Sequence, residues 1–297
     1  MKLLGYLLLR MVIAIFWFIP FPIIYFLSDF LTLLLYYVLP YRKKLIISNL
    51  KSAFPQKSDK EIKQICFKFY RNLSDILLES LKGFTLSKNA LIKRYEIAKD
   101  EKLQEYFMRG TSVIATTAHL TNWEWGAMAL DLQVSHQITG VYKRLHHPYI
   151  DKYMIKNRGR YGTGLVEMKS VVNLMENISV ESPFALVLIA DQRPSDPTKA
   201  FWTHFLNRET AFFYGVEKFA LEHRLPVLFF EIQRKKRGHY FVQIRWLVTD
   251  TDHLKKGDVI GAYRDQLEKI VSERPEDWLW SHSRWKHPRP HEMPIQD

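Results

Sequence analysis

Cysteine is almost absent from this chain of 297 residues. The single cysteine, Cys66, excludes an intrachain disulfide and any zinc site built from several thiolates. It is flanked by Ile65 and Phe67, an apolar setting that favours a buried, unreactive thiol over a nucleophile.

Several catalytic signatures are also missing. The chain has no G-x-S-x-G nucleophile elbow and no P-loop, and Gly159, Gly162 and Gly164 have the wrong spacing for a dinucleotide-binding turn. A serine hydrolase or a nucleotide-driven enzyme is therefore unsupported. His282, His287 and His291 lack a carboxylate or thiolate at ligand spacing, so we expect a polar C-terminal tail and no metal site.

Acidic residues are fewer than basic ones. Lys and Arg number 43 against 31 Asp and Glu, giving a formal net charge of +12. An excess of this size indicates an anionic partner, which could be nucleic acid, an acidic membrane surface or a phosphorylated substrate. Nucleic-acid binding has only the net charge in its favour, because no recognisable module accompanies it.

The N-terminal forty residues are the most apolar part of the chain. Residues 11–28 form an uncharged segment that is long enough for a membrane-spanning helix. Pro20 and Pro22 predict a bend, so a re-entrant pair with 30–39 as its second limb is an equal alternative. A cleavable signal peptide is disfavoured, because the apolar region is too long and no cleavage site follows it. We therefore predict an anchor at 1–40.

Basic residues flank this anchor on both sides. Arg42, Lys43 and Lys44 follow it and favour a cytoplasmic position for the rest of the chain, whereas Lys2 and Arg10 favour the opposite orientation. We predict that 41–297 forms a helical leader, with helices at 41–54 and 58–81, followed by one catalytic domain.

Beyond the leader, short apolar runs alternate with helical segments, which predicts an α/β domain with a mostly parallel central sheet flanked by helices. The expected strands are 112–118, 137–142, 184–190, 227–232 and 240–247, and the expected helices are 101–108, 122–132, 148–158, 169–179, 209–223 and 259–273. The last two strands should form an antiparallel hairpin. Its basic tip, 234–237, is expected to be solvated, with contact to anionic lipid as the less favoured alternative.

A histidine and a carboxylate lie where the strand 112–118 passes into a helix. A neutral imidazole at His119 can take a proton from a hydroxyl group, and Glu124 could fold back to orient that ring. In isolation, a surface histidine beside a glutamate that favours the helix dipole is the better interpretation.

Two further polar groups occur later in the chain. Arg158 and Arg160 end a predicted helix and suit a phosphate or a developing oxyanion, although a favourable helix C-terminus explains them equally well. Asp191 and Gln192 follow the strand 184–190, at the edge where open α/β sheets build ligand sites. His119 and Asp191 both follow strands that end at the same edge of the sheet, and together they are stronger evidence for a site there than either residue alone.

Motifs along nearly the whole chain resemble the lipid A biosynthesis late acyltransferases, the lauroyl and myristoyl transferases of the wider lysophospholipid acyltransferase superfamily. His119 and Glu124 fit the H-x-x-x-x-D/E mark of that superfamily. The other matching positions are, in order, Arg42, Asn49-Leu50 and Phe54-Pro55; Arg158-Gly159-Arg160; Asp191-Gln192; and Pro275-Glu276, Trp278-Leu279-Trp280, His282 and Arg284-Trp285-Lys286. Ser283 and Ala118 depart from the pattern, and neither removes a catalytic group.

The resemblance implies a glycerolipid-acyltransferase-like fold and the transfer of a fatty acyl chain from acyl carrier protein to a hydroxyl of a Kdo-bearing lipid A precursor. It implies His119 as general base, Glu124 as its support and Arg158 as oxyanion or phosphate partner. Arg160, Asp191 and Gln192 are then expected to bind substrate, with Asp191 holding an arginine or the acceptor.

The same resemblance implies no cofactor, no covalent acyl-enzyme and a location at the bacterial inner membrane with the catalytic domain on its cytoplasmic side. Acyl carrier protein, the glycolipid acceptor and the bilayer are the expected partners. Trp278, Trp280 and Trp285 are expected to be packing or interfacial aromatics. Another lipid or glycolipid acceptor remains an alternative, as does a non-catalytic membrane protein that binds anionic lipid.

Overall fold

The structure is a computed structural model that describes residues 2–177 and 182–296. Its α-helices are α1 (Lys2–Phe18), α2 (Phe21–Leu33), α3 (Lys43–Ala53), α4 (Asp59–Gly83), α5 (Lys88–Ile92), α6 (Glu101–Met108), α7 (Trp123–Ala129), α8 (Pro148–Arg158), α9 (Val171–Glu176), α10 (Gly215–His223) and α11 (Asp258–Glu273). Its strands are β1 (Tyr95–Ile97), β2 (Val113–Thr117), β3 (Gln137–Tyr142), β4 (Gly164–Glu167), β5 (Phe184–Ile189), β6 (Phe201–Phe205), β7 (Arg208–Phe212), β8 (Val227–Lys236) and β9 (His239–Val248).

One seven-stranded sheet organises the described chain, in the order β1-β9-β8-β2-β5-β3-β4. All its neighbours are parallel except β8 and β9, which form an antiparallel hairpin. Strand β2 lies near the centre with every residue buried, as expected for a parallel strand covered on both faces. The predicted α/β class with a mostly parallel sheet flanked by helices is confirmed.

The five predicted strands all occur in this sheet, and three predictions of local structure were incomplete or wrong. Strands β1 and β4 were missed because they have only three and four residues, and β6 and β7 were missed because polar residues interrupt their apolar runs. The predicted helix 209–223 begins instead with β7, which pairs with β6 in a separate hairpin, and only its second half forms α10. The predicted helix 169–179 forms a 3₁₀ turn, Met168–Ser170, followed by α9, and its positions 178 and 179 lie outside the described residues.

The N-terminal apolar region is a bent pair of helices. Helix α1 ends before Pro20, and α2 continues through a π-helical turn, Leu34–Val38. Phe21–Val38 is long and apolar enough to cross a bilayer by length and composition alone. The division into an anchor at 1–40 and a catalytic part at 41–297 remains a prediction.

Helix α2 buries polar side chains and exposes apolar ones, the reverse of a helix on the surface of a water-soluble protein. Ser28 and Thr32 are buried against the protein, whereas Phe26 and Phe30 are 73% and 64% exposed. Because an exposed apolar face of this kind is unfavourable in water, it indicates contact with lipid or another apolar surface. This face is the structural basis for expecting membrane association.

The leader helix α4 connects α2 to the sheet. A capping box formed by Ser58 and Glu61 begins it, and its apolar stripe of Ile62, Ile65, Phe69, Leu73 and Ile76 is buried. The same stripe includes Cys66, whose burial raises the pKa of the thiol to about 11 and makes it a poor nucleophile.

The basic tip between β8 and β9 is not simply solvated, which corrects the prediction. Arg234 and Arg237 both hydrogen-bond to the buried carboxylate of Asp75 in α4, and Arg237 also pairs with Asp29 in α2. Two of the four basic residues therefore fasten the hairpin to the helices, and the exposed ones are Lys235 and Lys236.

Candidate active site

Two adjacent strands place a histidine and an aspartate side by side. Strands β2 and β5 are parallel with Thr117 opposite Ile189, so the residues that follow them emerge at the same edge of the sheet. The His119 Nδ1 atom lies 2.7 Å from Asp191 Oδ1, and the His119 backbone N–H donates to Asp191 Oδ2 at 3.1 Å. Because a carboxylate can only accept, Nδ1 carries the proton and Nε2 is left as the basic nitrogen.

A tryptophan of the C-terminal segment also hydrogen-bonds to Asp191. The Trp278 indole N–H donates to Asp191 Oδ2 at 2.8 Å, and both residues are buried. Burial would raise the pKa of Asp191, but the charge and hydrogen bonds of His119 and the bond from Trp278 outweigh it and leave the pKa below its usual value. Asp191 therefore stays ionised and fixes the tautomer of His119.

These contacts bear on the roles that the sequence predicted for two carboxylates, and they correct that of Glu124. The carboxylate bound to His119 belongs to Asp191, although Glu124 was expected to occupy that position. Asp191 was expected to hold an arginine or the acceptor. Within the described chain its hydrogen bonds go to His119 and Trp278, and a contact with the acceptor stays a prediction.

The turn formed by residues 119–124, called the catalytic turn below, is held in place by contacts with the C-terminal segment. Thr121 has a φ of 44°, a left-handed conformation that is unfavourable for a β-branched residue. Its backbone N–H donates to the Asp277 carbonyl at 2.9 Å, and Leu120 forms a β-bridge with Trp278. The Asn122 side chain then caps α7 by accepting from the Trp125 N–H at 3.0 Å.

Glu124 forms an ion pair with Arg158 at the end of α8. Arg158 Nη2 donates to Glu124 Oε1 at 2.7 Å, and its Nε donates to Oε2 at 3.1 Å. Both side chains remain about one-fifth exposed. The forked contact orients the guanidinium and leaves Nη1 without a hydrogen-bond partner in the described part of the chain, available to a ligand oxygen.

Gln192 lies against the imidazole. Its amide nitrogen is 3.2 Å from His119 Nε2, and its position next to Asp191 places it there directly. An amide N–H at this distance occupies the lone pair of the basic nitrogen until a substrate hydroxyl replaces it. Gln192 was expected to bind substrate, and its position on the base is compatible with that prediction.

Arg160 is separated from this group, which corrects its expected role in substrate binding. Its guanidinium donates to the backbone carbonyls of Phe84, Gly83 and Leu86 at 2.6, 2.8 and 2.6 Å. These carbonyls lie at the C-terminus of α4 and just beyond it, where a cation stabilises unpaired acceptors. Arg160 therefore holds α4 in place.

A cavity of about 490 Å³ adjoins the polar residues. His119, Glu124, Arg158 and Gln192 all line it. Much of the remaining wall is apolar and includes Leu130, Ile138, Val141, Leu165, Val187 and Ile189. This volume is ordinary for a small-molecule site, and its apolar wall suits a hydrocarbon chain.

The sequence reasoning missed the contribution of His282. It lines the cavity and is largely buried, although it was expected to belong to a polar tail. Burial, and then the charge of Arg284, lower the pKa of His282 to about 4, so the ring is neutral at ordinary pH. The aromatic residues around His282 in the sequence were the available signal, because a segment rich in tryptophan is more typical of buried structure than of a polar tail.

No three His, Cys, Asp or Glu side chains within residues 2–177 and 182–296 are grouped to hold a metal ion.

Comparison with known proteins agrees with the arrangement. The model of the bacterial lipid A biosynthesis acyltransferase family matches residues 2–287. A lipid A biosynthesis lauroyltransferase of Escherichia coli (strain K12) is 22% identical over 278 residues, which cover 93% of this chain and 89% of that protein. Because the family match spans almost the whole chain, this protein belongs to the bacterial lipid A biosynthesis acyltransferases.

Proposed function

We propose that this protein transfers a fatty acyl group from the thioester of acyl carrier protein to a hydroxyl group of a Kdo-bearing lipid A precursor. The observation that carries the proposal is the His119–Asp191 pair beside an apolar cavity that Arg158 also lines. A base, a cation for a developing oxyanion and room for a hydrocarbon chain are what acyl transfer to an alcohol requires.

The hydrogen-bond pattern supports the following reaction. His119 Nε2 takes the proton of the acceptor hydroxyl while Asp191 stabilises the imidazolium that forms. The acceptor oxygen bonds to the thioester carbonyl carbon, and Arg158 Nη1 donates to the resulting oxyanion. Collapse of this intermediate breaks the carbon–sulfur bond, and the imidazolium returns its proton to the thiolate. No acyl-enzyme and no cofactor enter this scheme.

The membrane part of the proposal rests on the N-terminal helices. The exposed apolar face of α2 favours insertion into the bacterial inner membrane, and the basic residues Arg42, Lys43 and Lys44 favour a cytoplasmic position for the site. The net charge of +12 suits both an acidic carrier protein and a phosphorylated glycolipid.

Transfer of labelled acyl groups tests the proposal. The purified protein, in mixed micelles, is given acyl carrier protein loaded with saturated chains of several lengths and a Kdo-bearing precursor. We expect transfer by the wild type and by His291→Ala, an exposed tail residue, and its loss in His119→Ala.

Two results would contradict the proposal. Transfer only to a different lipid or glycolipid would replace the acceptor while keeping the chemistry. Equal transfer by His119→Ala and the wild type would remove the catalytic assignment and favour a membrane protein that binds anionic lipid. Mass spectrometry of membrane lipids with and without the gene would then identify the missing acyl group and its acceptor.

A further inference from the structure

Glu79 of α4 is fully buried at the junction of three elements. Its Oε1 accepts from the Tyr25 hydroxyl of α2 at 3.1 Å, and its Oε2 accepts from Asn122 Nδ2 at 2.7 Å and from the Tyr240 hydroxyl of β9 at 2.6 Å. Its backbone carbonyl accepts from the Trp125 indole at 2.9 Å. A buried carboxylate is tolerated because such donors satisfy it, and here one of them comes from the apolar segment.

Two contacts fix the Asn122 amide in one orientation. Its Nδ2 donates to Glu79, and its oxygen accepts from the Trp125 N–H and caps α7. The first turn of α7 carries Glu124, which orients Arg158. Glu79 therefore acts on the ion pair of the site through one intermediate residue.

Tyr25 connects the same carboxylate to the segment Phe21–Val38. It lies on the inward face of α2, and the outward face of that helix is apolar and exposed. Phe21 adds a direct contact, since its ring packs edge-on against Trp125 of α7 with the centroids 6.1 Å apart. A change in the position of α2 on the protein therefore affects α7 in two ways, through the hydrogen bonds of Glu79 and through the contact between the Phe21 and Trp125 rings.

We propose that Glu79 is a positioning residue that couples the seating of Phe21–Val38 to the geometry of the catalytic turn, through Tyr25 on one side and Asn122 on the other. The kinetic consequence rests on the acyl transfer proposed above, whereas the structural consequence does not. When α2 is seated, Tyr25 and Asn122 share one carboxylate, and α7 presents Glu124 to Arg158. When α2 is displaced, Glu79 loses one of the donors that fix its position, and the Asn122 amide bound to it is held less firmly over α7.

The chain offers a matched control one helical turn away. Ser28 of α2 donates to Asp75 of α4 at 2.5 Å, another buried hydrogen bond between the same two helices. Asp75 binds Arg234 and Arg237 of the hairpin. Within the described residues, hydrogen bonds lead from it to the catalytic turn by a longer route, through Arg234, Asn72 and Asp277. Ser28→Ala therefore weakens the docking of α2 without touching Glu79.

The first arm of the test is hydrogen exchange of the full-length protein in phospholipid nanodiscs. Tyr25→Phe keeps the ring and its packing and removes only the hydroxyl. We expect the peptide that covers 119–130 to exchange about 3- to 10-fold faster in Tyr25→Phe than in the wild type, and to be unchanged in Ser28→Ala. The hydrogen-exchange rate of α2 itself should rise by a similar factor in both variants. That result would show that the two substitutions weaken the docking of α2 equally.

The second arm measures kcat and KM for acyl transfer in the same nanodiscs. We expect Tyr25→Phe to lower kcat about 3- to 10-fold with little change in KM, and Ser28→Ala to leave kcat within about 2-fold. In the Asn122→Ser background the cap is retained but the amide donor to Glu79 is lost. Tyr25→Phe should then have almost no further effect on kcat, which a merely additive loss of stability would not produce.

The outcomes separate the two proposals. Faster exchange at 119–130 in Tyr25→Phe alone, together with no acyl transfer by the wild type, would retain the coupling and overturn the function. Normal transfer with equal effects of Tyr25→Phe and Ser28→Ala in both arms would overturn the coupling. Full additivity of Tyr25→Phe and Asn122→Ser in kcat would overturn it as well.

Discussion

The two carboxylates at the site have opposite settings. Asp191 is buried, accepts three hydrogen bonds from His119 and Trp278, and keeps the proton of the imidazole on Nδ1 so that Nε2 is the basic nitrogen. Glu124 lies on the cavity wall, partly exposed, and binds a guanidinium. The buried pair can control protonation, whereas the exposed pair can orient a cation toward substrate. Proximity in sequence to His119 is thus a poor guide to which carboxylate supports the base.

Replacing Asp191 with Asn should have the largest effect. An amide can donate to His119 Nδ1, which would favour the tautomer that carries its proton on Nε2 and abolish the base. We expect kcat for acyl transfer to fall on the order of 10³-fold while the fold is retained. Steady-state kinetics and the melting temperature of the same preparation check this.

Glu217→Gln provides the control for neutralising a buried carboxylate. Glu217 accepts from the backbone of Gly257 and Ile260, outside the cavity lining. Its replacement should leave kcat within about 2-fold. Comparable losses of kcat in the two variants would mean that the role of Asp191 is structural.

The exposed pair should be less sensitive. Arg158→Lys keeps a positive charge but loses the fork that Glu124 orients and the Nη1 donor. We expect kcat to fall about 10- to 100-fold, less than for Asp191→Asn, because one oxyanion donor is lost while the base remains. Kinetics of Glu124→Gln and of the double variant complete a thermodynamic cycle. Independent effects of the two substitutions would show that Glu124 does not act through Arg158.

Arg160 extends the contrast to a residue two positions away. Arg160→Met removes the donors to three carbonyls at the end of α4. We expect a loss of stability of roughly 2 kcal/mol with kcat of the folded protein nearly unchanged. Chemical denaturation and kinetics measure the two quantities. A fall of kcat comparable to that of Arg158→Lys, with stability retained, would return Arg160 to the substrate site.

The sequence was informative where local pattern decides structure and poor where distant contacts decide it. The strands β2 and β5 were predictable from their apolar runs, and so was the emergence of His119 and Asp191 at one edge. Which of Asp191 and Glu124 binds the imidazole depends on the direction in which α7 leaves the turn. That direction is fixed by Asp277 and Trp278, far away in the sequence.

The same limit explains the error over Arg160. Residues two apart at a helix end point to different sides, so one lines the cavity and the other reaches α4. Their spacing indicates that they diverge, but only the packing of α8 against its neighbours shows which one faces the cavity. Short strands such as β6 and β7 were missed for a related reason, because their apolar runs are brief and stability comes from pairing.

The smallest expected effect concerns His282, a cavity histidine set differently from His119. Its pKa in the folded protein is about 4, below its ordinary value of 6.5, because the ring is buried and lies near Arg284. Between these values the unfolded chain binds a proton that the folded chain does not, so stability must fall as pH decreases from about 6.5 to 4. We expect the wild type to lose roughly 1 to 2 kcal/mol more than His282→Gln between pH 7 and pH 5. Urea denaturation over this range checks it, with His291→Gln as an exposed control that should keep the wild-type slope. Identical pH dependence in the wild type and His282→Gln would mean that the His282 ring accepts a proton in the folded state as readily as in the unfolded chain.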